Sequence, residues 1–371
     1  MNNPPLLRDA TDKELAKASP RELFQMAQEW PRDHENIREM GLGLSDLYIS
    51  ENGKNGIKII ALVAKNFSDK SKFQVKNLRK DHANAIHFYI RKKTEKNPHF
   101  GLMEIDGVGF DGIDDYDIDK YKLYVDDLNL GVITLLDEIF LLFPEFLTRV
   151  FLGFSENKFQ EILEFLGSRL EFRLVREVSI LKTMSIGAWS AVMENLVAVQ
   201  KVTMGKYANF GNFENNHSIR HVAISNGSGL PVYKLVRLDY EILKIRDFDG
   251  DYLDILDIVD SWKSGGKPKL KFLRLGFKKT MKSHDLRELK QTLGGKKRRR
   301  EHAIEKMVYR VDKTTYSLKN AMDLKTEDYS ATYILTRQSF KFFAWKNSVV
   351  PENCSEKFSD EDADSDDEES V

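Results

Sequence analysis

One segment of the chain has the letters of a phosphate-binding loop. Residues 107–112 read Gly-Val-Gly-Phe-Asp-Gly, which matches the GxGxxG pattern of dinucleotide-binding turns. In such a turn, a helix N-terminus and close backbone approach hold the pyrophosphate. Here five aspartates surround the segment: Asp111, Asp114, Asp115, Asp117 and Asp119. They would repel phosphate, so the match predicts an acidic loop over residues 111–117 and no nucleotide site.

A second segment, Asp247-Phe248-Asp249-Gly250-Asp251, resembles part of a calcium loop. A full loop needs a ligand before this run and a bidentate glutamate at its twelfth position. Both are missing, so we interpret the segment as a capped turn that follows a strand.

A third segment is a run of cations, Lys296, Lys297, Arg298, Arg299 and Arg300, directly after Gly294-Gly295. Adjacent cations repel one another and remain solvated. The run suits nuclear import or phosphate contact, and a charged loop without a ligand fits it equally well.

Signatures of catalysis are otherwise absent from the sequence. There is no nucleophile elbow, no HExxH and no GxxxxGK[ST] pattern. The single cysteine, Cys354, excludes an internal disulfide and multi-cysteine zinc sites. We therefore expect a non-catalytic binding protein without a cofactor or a metal.

The charge of the chain is segregated. The 371 residues have a net charge of −1, but Glu356–Val371 contain nine acidic residues and one lysine, so this tail carries −8 and the rest +7. A tail with so few apolar residues is predicted to be disordered.

The N-terminus lacks a secretory signal. Charged residues and Pro144 interrupt the longest apolar stretch, Val132–Phe154. We expect a protein of the cytoplasm, the nucleus or both, with no membrane partner.

Helix-start signals mark the first 40 residues. Thr11 and Glu14 have capping-box spacing, and Ser19-Pro20-Arg21-Glu22 combines an N-cap serine, a proline at the first position and a glutamate at the third. Two short helices are predicted, ending near Trp30-Pro31. Strands are predicted at Ile57–Val63 and Ala85–Ile90, and helices from Val132 onward.

A short strand pattern of apolar, polar and apolar residues recurs from about residue 174. Its first positions are separated by 24, 20, 21 and 30 residues. Leucine-rich repeats have units of about 20 to 29 residues with one strand each. Helical patterns at Ser185–Ala198 and Asp251–Trp262 separate the strands, and Gly265-Gly266 ends the second. The prediction is an α/β fold of irregular leucine-rich-repeat-like units with a parallel sheet; the alternative is an ordinary α/β domain with evenly spaced strands. The pattern occurs at Val178-Ser179-Ile180, Val202-Thr203-Met204, Val222-Ala223-Ile224, Leu243-Lys244-Ile245 and Leu273-Arg274-Leu275.

In such a sheet, the residues between the apolar pairs face outward. Several of them are cationic, which predicts a basic concave surface suited to an acidic segment of a protein; a solvated face without a ligand is the alternative. The predicted outward residues are Glu177, Ser179, Lys201, Thr203, His221, Ala223, Lys244, Arg246 and Arg274, and the partner-binding candidates among them are Lys201, His221, Lys244, Arg246 and Arg274.

The segment Tyr240–Phe277 resembles the type 2 F-box-associated domain, which is abundant in nematode F-box proteins. The shared features are a strand, an acidic turn, a helix ending in Trp262, a glycine pair and an apolar strand. The end of the chain resembles the terminal pattern of that family, with Tyr329 where a glycine is usual. The resemblance covers about residues 130–347, and its terminal matches are Asp323, Leu324, Lys325, Asp328, Ala331, Thr332, Phe342 and Trp345.

In that family an N-terminal F-box docks on the Skp adaptor of cullin-based ubiquitin ligases. The first 40 residues resemble a divergent F-box, in which Asp9-Ala10 replaces the usual Leu-Pro and the spacing is a few residues short. The alternative is two helices that pack on the body of the protein. The resemblance implies that six residues contact the adaptor: Pro5, Leu6, Leu7, Leu15, Pro20 and Leu23.

Two functions follow from these patterns. In the first, the chain is the substrate-recognition subunit of a Skp–cullin–F-box ubiquitin ligase and binds a target protein through the repeat-like domain. In the second, it is a stand-alone interaction module with a decayed F-box, nuclear or associated with nucleic acid through the basic run, although a protein is the expected partner. The predicted domains are residues 1–40, 41–130, 131–347 and a disordered tail, 348–371.

Overall fold

The computed structural model describes residues 15, 18–29, 31–53, 56–64, 85–94, 102–114, 120–144, 147–153, 160–182, 194, 196–205, 218–297, 308–311, 314–318, 321–326 and 330–345. The chain divides into two compact units. The first contains Met1–Leu230 and Lys244–Phe248, and the second contains Pro231–Leu243 and Asp249–Val371. The fold is mixed α/β.

The first unit contains a mixed sheet. The strand order is β10-β9-β8-β7-β1-β2-β3-β6-β5-β4. Parallel pairing joins β1 to β7, β3 to β6, and the neighbours from β7 to β10, whereas β1, β2 and β3 pair antiparallel. Since β1 pairs with β7, the predicted division at residue 130 falls inside one sheet. The strands are β1 (Gly43–Glu51), β2 (Gly56–Ala64), β3 (Ala85–Lys92), β4 (Leu102–Ile105), β5 (Val108–Asp114), β6 (Lys120–Val125), β7 (Arg149–Gly153), β8 (Glu177–Ile180), β9 (Lys201–Met204) and β10 (His221–Ile224); β11 is Ile242–Phe248.

Two N-terminal helices, α1 (Pro20–Glu29) and α2 (Pro31–Glu39), are part of the first unit. The predicted capping box at the start of α1 is present: Glu22 N donates to Ser19 Oγ at 3.3 Å, and Ser19 N donates to Glu22 Oε2 at 2.7 Å. These hydrogen bonds hold the pKa of the Glu22 carboxyl below its usual value. The predicted start of a helix at Thr11 and Glu14 lies outside the described residues. Helix α2 was not predicted, although Pro31 suits a first helical position.

Helix α3 (Leu128–Leu142) lies against β2, β3, β4 and β5. A helix here is predicted by the apolar spacing from Val132; Asp127 caps its start by accepting from Leu130 N at 3.0 Å, and the helix ends at Leu142. A Cβ on Gly131 would come within 2.8 Å of a Val125 methyl group, so only glycine permits this approach to β6. Two shorter helices follow, α4 (Gln160–Ser168) and α5 (Leu170–Arg173).

The second unit contains an antiparallel sheet between two apolar layers. Its strand order is β13-β16-β17-β18-β12. On one face, Trp262 of α7 meets the Phe342 ring edge-on at 4.9 Å. On the other, Phe272, Tyr316 and Phe343 form a buried cluster. The elements are α6 (Val232–Arg237), α7 (Tyr252–Lys263), β12 (Phe272–Phe277), α8 (Ser283–Leu293), β13 (Lys296–Lys297), β14 (Val308–Val311), β15 (Thr314–Ser317), β16 (Met322–Lys325), β17 (Ser330–Leu335) and β18 (Ser339–Trp345).

The predicted repeat-like domain extends to residue 347, but the strands that follow β12 pair antiparallel and do not continue a series of parallel repeats. Three residues, 336–338, connect β17 to β18, and β12 pairs antiparallel with β18. Parallel strands need a crossover of a dozen or more residues, so such a short connection forces the antiparallel arrangement.

The predicted acidic loop is also wrong in part, because residues 111–114 belong to β5. Phe110 is fully buried, and β5 pairs with β6. The GxGxxG match starts in the β4–β5 hairpin turn, where Asp106 and Gly107 have φ angles of 47° and 74°, and it opens no helix.

Helix α7 has the predicted start and end. Asp251 and Asp254 form a reciprocal capping box, which confirms the capped turn after β11, and Gly265 follows the helix with a φ of 80°. The predicted helix at 185–198 lies largely outside the described residues. No helix in the described ranges combines the length and apolar composition needed to cross a bilayer.

Candidate protein-interaction surface

Strands β7 to β10 stack in register, so equivalent residues form rows across the sheet. One buried row contains Val150, Val178, Val202 and Val222, and a second contains Leu152, Ile180, Met204 and Ile224. The positions between these rows point to the opposite face. They carry Phe151, Ser179, Thr203 and Ala223, which we call the ladder face.

The same backbone arrangement precedes each strand. The carbonyl of Thr148 accepts from the amides of Arg176 and Glu177, both at 3.1 Å. One strand further, the Arg176 carbonyl accepts from Gln200 and Lys201 at 2.8 and 3.0 Å. The Gln200 carbonyl accepts in the same way from Arg220 and His221. This repeated pair of hydrogen bonds at the start of β8, β9 and β10 keeps the strands in register.

A row of charged residues lies on the same side of the sheet. In register order it contains Asp46, Arg149, Glu177, Lys201 and His221.

The charges in this row are largely compensated. The Arg149 guanidinium contacts the buried Asp46 carboxylate with two nitrogens, the Nη2 to Oδ2 distance being 2.8 Å. Lys201 Nζ lies 3.7 Å from Glu177 Oε2. The alternating signs therefore overturn the prediction that this part of the sheet is a basic surface.

Four of the five predicted partner-binding residues lie in the first unit, and the fifth, Arg274, lies in the second. Lys201 and His221 are directly paired across β9 and β10, and His221 is buried. Lys244 and the exposed Arg246 lie on β11 within the first unit. Arg274 belongs to the second unit, where it lies opposite another cation, Lys341 of β18.

The predicted adaptor contacts that the structure describes are buried. Leu15, Pro20 and Leu23 are all buried, and α1 is held to the sheet by Phe24, whose ring lies 5.0 Å from that of Phe88. A partner could contact these three side chains only if α1 left the sheet. Pro5, Leu6 and Leu7 lie outside the described residues.

The basic run begins in a strand. Lys296 and Lys297 form β13, in which Lys296 lies opposite Asp323 of β16. Arg298, Arg299 and Arg300 lie outside the described residues. A charged loop is thus wrong for the first two positions, because they pair with the edge of the sheet.

Two features of this surface were missed by sequence reasoning. Strand β7 pairs in parallel with β8, but its outward position is occupied by Phe151, so the pattern of apolar, polar and apolar residues is absent there. The ring of Phe151 stacks on Tyr48 at a centroid distance of 4.0 Å. The Asp46–Arg149 pair joins residues 103 positions apart, and no local pattern could have indicated it. Burial and the Asp46 charge raise the pKa of the Tyr48 phenol.

A buried lysine lies in the second unit. Lys267 is 2% exposed, and its Nζ donates to the carbonyls of Leu235 and Leu238 at the end of α6, at 2.9 and 2.6 Å. Burial lowers the pKa of Lys267 to about 8, although Asp239 opposes the shift. The ammonium thus completes the hydrogen bonding of a short helix at the cost of desolvation.

The low pKa of Lys267 predicts that stability rises with pH. Between pH 8 and the usual lysine range, the unfolded chain retains a proton that the folded protein has lost, so alkalinity favours folding. Relative to Lys267→Met, we expect the wild type to gain up to about 3 kcal/mol across this range. Urea denaturation at several pH values measures the difference. The partly exposed Lys263, changed to Met, is the control. If the difference in unfolding free energy between wild type and variant is independent of pH for Lys267→Met as well as for the control, the prediction is wrong.

No three His, Cys, Asp or Glu side chains of the described residues come together as a metal-binding group. Comparisons with known proteins found no match: no family model fits the chain, and no curated protein and no solved structure is significantly similar to it.

Proposed function

We propose that this chain is a non-catalytic recognition subunit of leucine-rich-repeat type that binds a partner protein through the ladder face. The observation that supports this most directly is the register of β7 to β10, which presents Ser179, Thr203 and Ala223 in one row. Their short side chains leave room for another surface to approach closely. The compensated charges beside the row can orient a partner without a strong net field.

The ladder face predicts a sharp effect of steric substitution. Thr203→Arg places a long cation at its centre, and we expect loss of the partners that the wild-type full-length chain captures from cell extract. The exposed Glu164 of α4, changed to Arg, adds a similar side chain away from this face and serves as the matched control. Quantitative mass spectrometry of the captured proteins measures the effect. An identical set of partners for both variants would exclude the ladder face.

The second proposal is that the chain is the substrate-recognition subunit of a Skp–cullin–F-box ligase. Its support is the resemblance of the first 40 residues to an F-box and the capping box at Ser19 and Glu22, which starts α1 where the resemblance needs a helix. The ladder face would then hold a target protein near the ligase and raise the effective concentration of its lysines. This role implies a protein of the cytoplasm, the nucleus or both.

Purified Skp adaptor tests the ligase role. Deleting the first 40 residues would remove Leu23 and Phe24 from the core, so point substitutions are the better probe. We expect the full chain to bind the adaptor and a variant with Pro5, Leu6 and Leu7 changed to Ala to lose binding. The wild type and this variant should unfold at the same urea concentration. If neither chain binds, the F-box is decayed and the stand-alone interaction module is the better account.

A further inference from the structure

Exposed apolar side chains are concentrated at the edge of the first unit where the parallel strands begin. Leu170 and Leu174 on and after α5 are 65% and 54% exposed, and Val197 before β9 is 58% exposed. Three arginines beside them, Arg173, Arg176 and Arg220, are also exposed. We call these six residues the entry edge.

Backbone hydrogen bonds make the entry edge continuous. The Val197 amide donates to the Arg173 carbonyl at 3.3 Å. Leu174 N donates to Leu170 O at 3.2 Å, which places the two leucines one helical turn apart. Arg176 and Arg220 occupy equivalent positions before β8 and β10. Because β9 lies between these strands, the two positions are separated by two strand spacings of roughly 4.8 Å each.

The arginines of the entry edge differ from the cations of the sheet face. Arg149 and Lys201 pair with carboxylates. In the part of the chain that the structure describes, no ion pair involves Arg173, Arg176 or Arg220. Uncompensated guanidinium groups next to exposed leucines provide both a charged and an apolar contact, and arginine binds carboxylates with two parallel hydrogen bonds.

We propose that the entry edge is a docking site for a segment of a partner protein in which acidic and aliphatic residues alternate. The carboxylates pair with the three arginines, and the aliphatic side chains cover Leu170, Leu174 and Val197. Charge complementarity selects the acidic character, and the exposed apolar area selects a peptide over a nucleic acid, because single strands stack on aromatic side chains and the edge has none. This site lies outside the ladder face and adds a second contact to the proposed function.

Fluorescence anisotropy with the full-length chain tests the site. The probe is a short labelled peptide of alternating Asp and Leu, measured at about 0.15 M salt, where long-range attraction is screened. Changing Arg173, Arg176 and Arg220 to Glu should weaken binding at least about tenfold, equivalent to about 1.4 kcal/mol. Changing Leu170 and Leu174 to Ser should also weaken it. The exposed Arg38 of α2, changed to Glu, is the matched control and should bind as the wild type does.

Three outcomes would overturn the proposal. A peptide with Ser in place of Leu, or a single-stranded RNA of equal charge, that binds as tightly would show a site for polyanions only. Unchanged binding by the triple arginine variant would show that the edge is not the site. If the wild-type chain is a dimer and the same substitutions dissociate it, the edge binds a second copy of the chain. Since no residue of the ladder face is varied, the two proposals fail separately.

Discussion

Replacing Asp46 by Asn is expected to lower the free energy of unfolding by about 3 kcal/mol. The Asp46 side chain is 1% exposed and Arg149 is 19% exposed, so the substitution leaves a mostly buried cation without its main counter-charge. Burial alone would lower the pKa of the Arg149 guanidinium, but the hydrogen bond and charge of Asp46 raise it. Urea denaturation measures the loss, and hydrogen exchange of β1 and β7 locates it.

The pair has a structural position that explains this size of effect. Asp46 lies in β1 and Arg149 in β7, and these strands join the antiparallel part of the first sheet to the repeat-like part. Changing both residues, Asp46→Asn with Arg149→Met, should recover much of the loss because the uncompensated charge disappears. The Lys182–Glu51 pair, in which the lysine is exposed, is the control, since Lys182→Ala should cost less than about 1 kcal/mol. If Asp46→Asn and Lys182→Ala lower the free energy of unfolding by similar amounts, the prediction for the Asp46–Arg149 pair is wrong.

The second large effect is expected for Phe24→Ala. Phe24 is fully buried, and its ring lies 5.0 Å from Phe88 and 5.7 Å from Tyr121. Removing the ring leaves a cavity between α1 and the sheet, and such substitutions cost about 3–5 kcal/mol. Thermal and urea unfolding of the full chain measure the change, with the exposed Asn36 of α2, changed to Ala, as the control.

This second prediction bears directly on the N-terminal segment. A module that docks on an adaptor through its own apolar face would keep that face available, and Phe24→Ala would then change stability little. A cost near 3 kcal/mol or more would instead mean that α1 is an integral part of the first unit. Adaptor binding would in that case have to use residues other than Leu15, Pro20 and Leu23.

The features predicted correctly from the sequence depend on short-range patterns. The capping boxes at Ser19 and Asp251 require residues three apart, and the strands β8 to β12 alternate over three positions. Strand pairing was predicted less well, because it depends on residues far apart in sequence. The length of a connection does indicate strand direction: the short link between β17 and β18 requires antiparallel pairing.

The candidate surface was predicted in location but not in charge. Thr203 and Ser179 lie where the repeat pattern places them, half-buried on the outer face. The carboxylate partners of Arg149 and Lys201 come from neighbouring strands, so counting cations along the sequence overestimated the positive charge. The exposed leucines of α5 follow no repeat pattern, and only their solvent exposure in the fold distinguishes them from core leucines.

Site-specific photo-crosslinking tests the recognition role most directly. A photoreactive phenylalanine analogue is placed at Thr203 in the full-length chain, and at Glu164 as the matched control. We predict that the Thr203 position crosslinks a discrete partner protein in cells, and that Ser179→Arg in the same chain abolishes the crosslink. Equal crosslinking from both positions, or a Thr203 product that Ser179→Arg leaves unchanged, would contradict a partner-binding role for the ladder face.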